Sequence, residues 1–140
     1  MRIMGIDYGD ARVGIALSDP LMLTAQGLKT LPNKVYPKMM EALVGLINQN
    51  DVAKIVIGMP KNLNGTMGFR ADITREFADD LKSRISSGIE IVFQDERLTT
   101  VEASTFLNFT DTRGKSRKNV IDTVAAEIIL QSYLDSQANK

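Results

Sequence analysis

The sequence predicts an α/β protein, a mixed five-stranded sheet with helices on both faces, and three observations carry that prediction. The first half opens with three short apolar, partly β-branched segments separated only by turn residues. Two further strand-like segments, AKIVIG and IEIVFQ, are each reached through a stretch in which apolar residues recur at helical spacing. Strands joined by tight turns pair antiparallel, whereas strands joined through a helix run parallel by a right-handed crossover. Finally, 140 residues with 44% hydrophobic and 24% charged content suit one globular domain spanning 1–140. At that length about two thirds of the unfolded chain's surface can be buried.

The first strand is expected over 2–8, followed by the turn residues Gly9 and Asp10, with a second strand over 12–17. A third, near 26–31, ends at Pro32. Met39, Met40, Leu43, Val44 and Ile47 then repeat as one face of a helix. The fourth strand, 53–58, is bounded by Pro60 and the Asn-Gly-rich KNLNGT loop. Phe69, Ile73, Phe77, Leu81 and Ile85 step by four along a second helix, which Ser86, Ser87 and Gly88 end. Ile89, Ile91 and Phe93 alternate as the fifth strand. Thr99 followed by Glu102 is a capping-box pattern that predicts a helix over 100–107. The last helix is expected over about 119–134, with Ile121, Ala125, Ile128 and Ile129 as its apolar stripe.

Composition narrows the chemistry. There is no cysteine and no histidine, which excludes thiolate nucleophiles, disulfides, Cys- or His-ligated metals and imidazole bases. Lys and Arg number 17, as do Asp and Glu, so a nucleic-acid partner must be argued from where charges fall rather than from net charge. Asp7, Asp10 and Arg12 interrupt the start where a signal peptide needs an apolar run, and no segment reaches membrane-spanning length; a soluble, cytoplasmic protein is expected.

Sites in such sheets lie beyond the carboxyl ends of the strands. Asp7 ends the first strand, Asp95 and Glu96 end the fifth, and Asp122 lies in the expected first turn of the last helix, on the face of Ala126 and Ile129. Carboxylates gathered there would repel one another unless they held cations, and oxygen-only ligation suits Mg²⁺ or Mn²⁺. Two such ions about 4 Å apart can drive in-line phosphodiester hydrolysis without a histidine. Plain structural roles compete. Asp7 can shape the turn DYGD, Asp95 and Glu96 can be solvated strand-end charges, and Asp122 can favour the helix dipole. The run TRGKSRKN places Arg113, Lys115, Arg117 and Lys118 within six positions, either a solvated charge run or a phosphate-backbone patch beside Asp122. The loop MPKNLNGTMG, with Lys61 and its turn-forming Asn64, Gly65 and Gly68, is a second candidate contact surface.

GIDYGDARVGIALSD, IVIGMPKNLNGT, DERLTT and RKNVIDTVAAEIILQSYL, in that order and spacing, resemble the YqgF family, also called RuvX, of Holliday-junction resolvase-like proteins and pre-16S rRNA nucleases. The resemblance runs from Arg2 to Leu134. It implies a ribonuclease H-like fold and an acidic metal-binding triad of Asp7, Glu96 and Asp122 with Asp95 beside it. It also implies nucleic-acid contacts by the basic run, with Arg12, Lys118, Thr99 and Thr100 near the substrate. The biology it implies is processing of the 5′ end of precursor 16S ribosomal RNA, with four-way DNA junction resolution as the alternative. The residues themselves do not choose between RNA and DNA. Two other readings stay open: a non-catalytic RNA-binding ribosome-assembly factor, and, because GIDYG with GIALS also looks like the phosphate-binding hairpin of actin-like and sugar-kinase ATPases, a nucleotide-binding domain.

Overall fold

The computed structural model describes the backbone of residues 1–60, 69–95 and 114–138, and the side chains of 1–60, 70–94 and 123–138. Five strands, β1 (Arg2–Tyr8), β2 (Arg12–Ser18), β3 (Ala25–Pro32), β4 (Val52–Met59) and β5 (Glu90–Asp95), form one sheet in the order β3-β2-β1-β4-β5. Among the described residues three helices accompany them: α1 (Tyr36–Gln49), α2 (Phe69–Arg84) and α3 (Gly114–Ala138). β1 and β2, and β2 and β3, pair antiparallel; β4 lies parallel to both β1 and β5. The expected mixed sheet is therefore present, each strand within a residue or so of its predicted ends.

Alternation along β1 separates two cores. Met4 and Ile6 face α1 and α2, where Met39, Met40, Leu43 and Ile47 meet Phe77 and Leu81. Ile3 faces the other way, with Ala16 and Val56, onto Ala126, Ile129, Leu130, Tyr133 and Leu134 of α3. The first core is tied at the helices: the Tyr36 hydroxyl donates to Asp80 at 2.7 Å, and Arg84 donates to the same carboxylate at 2.8 Å. Tyr8 stacks on Phe77 with ring centroids 4.1 Å apart, so the end of β1 is packed from beneath.

On the second face α3 lies close to the sheet. A Cβ on Gly5 would sit 2.7 Å from Leu130 Cβ and 2.9 Å from the Ala126 carbonyl oxygen. α3 also holds both ends of β3. Gln131 accepts from the Ala25 N–H at 2.9 Å, and Thr123 Oγ1 lies 3.0 Å from Thr30 Oγ1. Among the described residues no helix is long and apolar enough to cross a membrane.

Two expectations are corrected. The last helix begins at Gly114 rather than 119, so Lys115, Arg117 and Lys118 stand within helix and not in a preceding loop. Lys, Arg and Ser between Gly114 and the apolar stripe do not break a helix, and charged side chains mask its continuity from a hydrophobic pattern. Asp122 is therefore in the third turn, too far from the helix start for the dipole to account for it. Phe93, on the same alternation as Ile89 and Ile91, is 44% exposed, in keeping with β5 as an edge strand. The helix expected over 100–107 lies outside the described residues.

Candidate active site

β1, β4 and β5 run parallel, so their carboxyl ends reach the same edge of the sheet. Asp7 is half-buried one residue from the end of β1, and Asp95 ends β5 opposite Met59. Across the antiparallel side, Asp7 pairs with Gly14 and Gly14 pairs with Thr30. Residues paired in register project to the same face. Thr30 meets Thr123 of α3, so Asp7 lies on the α3 face of the sheet.

A bulge makes this row possible. Ile15 pairs with Lys29 but Ala16 pairs with Gly27, leaving Leu28 as an extra residue in β3. In a regular strand Gly27 and Thr30, three apart, would face opposite ways. With Leu28 inserted, both face α3: Thr30 touches Thr123, and Gly27 lies under Glu127, donating its N–H to that carboxylate. Burial of Glu127 nevertheless raises its pKa above the ordinary 4.5, outweighing the Gly27 hydrogen bond.

The same packing sets the height of position 122 relative to Asp7. α3 runs antiparallel to β1: Tyr133 packs beside Ile3, and Ala126 lies over Gly5. From Gly5 to Asp7 is roughly 7 Å along a strand, and from Ala126 back to position 122 is about 6 Å along a helix. The backbone of Asp122 therefore stands at the level of the Asp7 row, on the helix face of Ala126 and Ile129, both fully buried. Asp95 falls on the alternation of Ile91 and Phe93, whereas Val92 packs toward α3. Glu96, Lys61, Thr99, Thr100 and Arg113 lie outside the described residues. Lys115, Arg117 and Lys118 occupy the first turns of α3.

A cationic groove flanks the row on the β3 side. Arg12, at the start of β2, lines a cavity of about 540 Å³ with Ala11, Thr30, Pro32 and Lys34. The turn between Asp7 and Arg12 is fixed by Asn33, whose Nδ2 donates to the Gly9 carbonyl at 2.9 Å and whose backbone N–H donates to the Ala11 carbonyl at 2.9 Å. Arg70 of α2 reaches Asp10 in the same turn at 3.5 Å. Sequence reasoning singled out Arg12 but passed over Lys34, Thr30, Thr123 and Arg70. No local signal marks them, because only the strand register and the helix docking bring them to this edge.

Among the described residues no three carboxylates gather as a metal site. Asp7 is the member of the expected set whose side chain is described, and a chain without histidine or cysteine offers an ion oxygen donors only, which fits Mg²⁺ or Mn²⁺.

Comparison with known proteins agrees with this architecture. The chain is 48% identical over 137 residues to a Halothermothrix orenii protein carrying the provisional name pre-16S rRNA nuclease, covering 98% of this chain and 96% of the relative. It is 44% identical over 140 residues to a Clostridium tetani protein of the same name, both chains covered in full. Among solved structures it resembles Thermus thermophilus RuvC in complex with a Holliday junction (TM-score 0.60, 9% identity, 99% of this chain and 96% of that one). It also resembles the fowlpox virus Holliday junction resolvase (TM-score 0.58, 14% identity, 97% and 99%). At such identities the likeness concerns the fold, which is ribonuclease H-like. A family model, RuvX, described as Holliday junction resolvase, matches residues 1–136, and with relatives of this similarity along the whole length the chain belongs to the RuvX family.

Proposed function

We propose that this protein, as one ribonuclease H-like domain over 1–140, is a metal-dependent nuclease that hydrolyses phosphodiester bonds while processing the 5′ end of precursor 16S ribosomal RNA. The observation that supports it most is the row Asp7, Gly14, Thr30 closed by the Thr30–Thr123 contact. That row supports the reading because it puts the backbone of position 122 at the level of Asp7, although the two are far apart in sequence. Asp7, Glu96 and Asp122 are proposed to hold Mg²⁺ or Mn²⁺, with Asp95 beside them. Such an ion supplies activation of water and charge stabilisation at phosphorus. The chain's own residues do the rest. Half-buried Asp7 keeps its carboxylate at a packed edge, Asn33 holds the turn that presents Arg12 to a phosphate, and Arg113, Lys115, Arg117 and Lys118 make the start of α3 a positive end that attracts the nucleic-acid backbone. Lys61 is proposed as a further backbone contact. The protein would act in the cytoplasm, where its substrate is made.

The test is cleavage of a precursor 16S rRNA fragment by wild type, Asp7→Asn and Asp122→Asn, each purified free of host nucleases, with Mg²⁺ or Mn²⁺. Loss of cleavage in both variants is expected, and equal activity in all three proteins overturns the reading. The family description and the RuvC likeness favour a second substrate, a four-way DNA junction. Cutting of the junction in preference to the precursor RNA would place the activity there.

A further inference from the structure

We infer that the groove lined by Arg12, Thr30 and Lys34 is a phosphate-backbone track that carries one strand of the substrate past the acidic row; this rests on the nuclease reading above. The groove is formed where the β1–β2 turn, the end of β3 and the segment leading to α1 meet, and its volume is about 540 Å³. Among the described residues two cations, Arg12 and Lys34, line it. Lys34 is exposed and has no carboxylate partner among the described residues, while Ala11, Pro32 and Thr30 bring no negative charge. Phosphate contacts of this kind position a strand without reading its sequence.

Its location relative to Asp7 defines its part. Thr30 lies in the groove wall and in the Asp7 row, two strand spacings away, roughly 10 Å. A strand held there has its contacted phosphate beside the cleavage point and not at it. Lys34 therefore strengthens binding of substrate and transition state alike, which alters KM and leaves kcat unchanged. A second groove on the opposite side of β3, lined by Lys29, Lys38, Glu41 and Gln49, contains a carboxylate and has no wall in the Asp7 row. It supplies the control.

The experiment measures affinity for a fluorescent single-stranded RNA by anisotropy across a salt series, in the Asp7→Asn background, for the parent, Lys34→Ala, Lys34→Arg and Lys38→Ala. For one lost phosphate contact the plot of log affinity against log salt should flatten by about 0.7 in Lys34→Ala. Lys34→Arg should keep the parent slope, and Lys38→Ala should match the parent. In the otherwise wild-type enzyme Lys34→Ala should raise KM at constant kcat. An unchanged slope in Lys34→Ala, or equal flattening in Lys34→Ala and Lys38→Ala, overturns the track. The slope does not depend on cleavage. Residual cutting by Asp7→Asn would count against the catalytic reading alone.

Discussion

The hydroxyls of Thr30 and Thr123 lie 3.0 Å apart, joining the edge strand β3 to the residue next to Asp122. Together with the packing of Ala126 and Leu130 over Gly5, this contact fixes where α3 lies along the sheet, and therefore that position 122 stands level with Asp7. Replacing Thr123 by Val keeps the shape and removes the hydroxyl. The loss of one hydrogen bond should cost about 1 kcal/mol of stability in a denaturant titration. A misplaced helix should cost more in rate than in stability, with kcat falling about tenfold or more. Thr123→Ser should recover most of the rate.

The proposed ligands should not be equivalent. Asp7→Asn and Asp122→Asn should each remove a proposed metal ligand, and several kcal/mol of lost charge stabilisation is about a hundredfold or more in kcat. Asp95 lies on the other alternation of β5, so Asp95→Asn should fall well short of that loss. Single-turnover cleavage of the precursor RNA at saturating Mg²⁺ compares the three.

Two glycines should respond in opposite directions. Gly5→Ala drives a methyl to within 2.7 Å of Leu130 Cβ and 2.9 Å of a backbone oxygen, and overpacking of this kind costs about 1–3 kcal/mol. Gly45 lies inside α1, where an added methyl would meet nothing within 4 Å, so Gly45→Ala should stabilise by about 0.5–1 kcal/mol. Thermal melts of the two variants beside the parent decide the sign.

Glu127 and Asp19 should push the pH dependence of stability in opposite senses. Burial raises the Glu127 pKa, so the folded state binds its proton more readily than the unfolded state does. Stability from this group is full below the ordinary value of 4.5 and declines as pH rises through the folded pKa. Glu127→Gln should raise Tm at pH 7 and lose that advantage below the ordinary value. Asp19 is held below its ordinary 3.8 by the backbone N–H groups of Thr24 and Leu23. Its contribution is present above that value and is lost as pH falls through the folded pKa. Asp19→Asn should therefore lower Tm at pH 7 and converge with the parent in acid.

Much of this fold is written in local pattern. The apolar runs of β1 and β4, the alternation of Ile89, Ile91 and Phe93, and the helical spacing of Met39 to Ile47 and Phe69 to Leu81 describe single elements, and the short or helical connections between them determine pairing direction. What escaped is whatever a partner element decides. Leu28 becomes a bulge only because β2 pairs around it, and Phe93 is exposed in keeping with β5 as an edge. The start of α3 was hidden for another reason: Lys115, Arg117 and Lys118 add helix without adding stripe. At the site, Asp7 and Asp122 could be named from their places at an element's end and on a buried helix face. Lys34 and Thr123 could not, since their neighbours lie 22 and 93 residues away in the chain at Arg12 and Thr30.

The order in which these elements are synthesised has its own consequence. All five strands precede α3 in the chain, and β1, with Asp7, is made first. A nascent chain can lay down the sheet while position 122 is still to be added, since domains fold as they emerge from the N-terminal side. Until α3 docks on Gly5 the protein has one half of its acidic row and no matching half. Chemistry that needs both acidic positions is thus deferred, during synthesis, to the arrival of a single late helix.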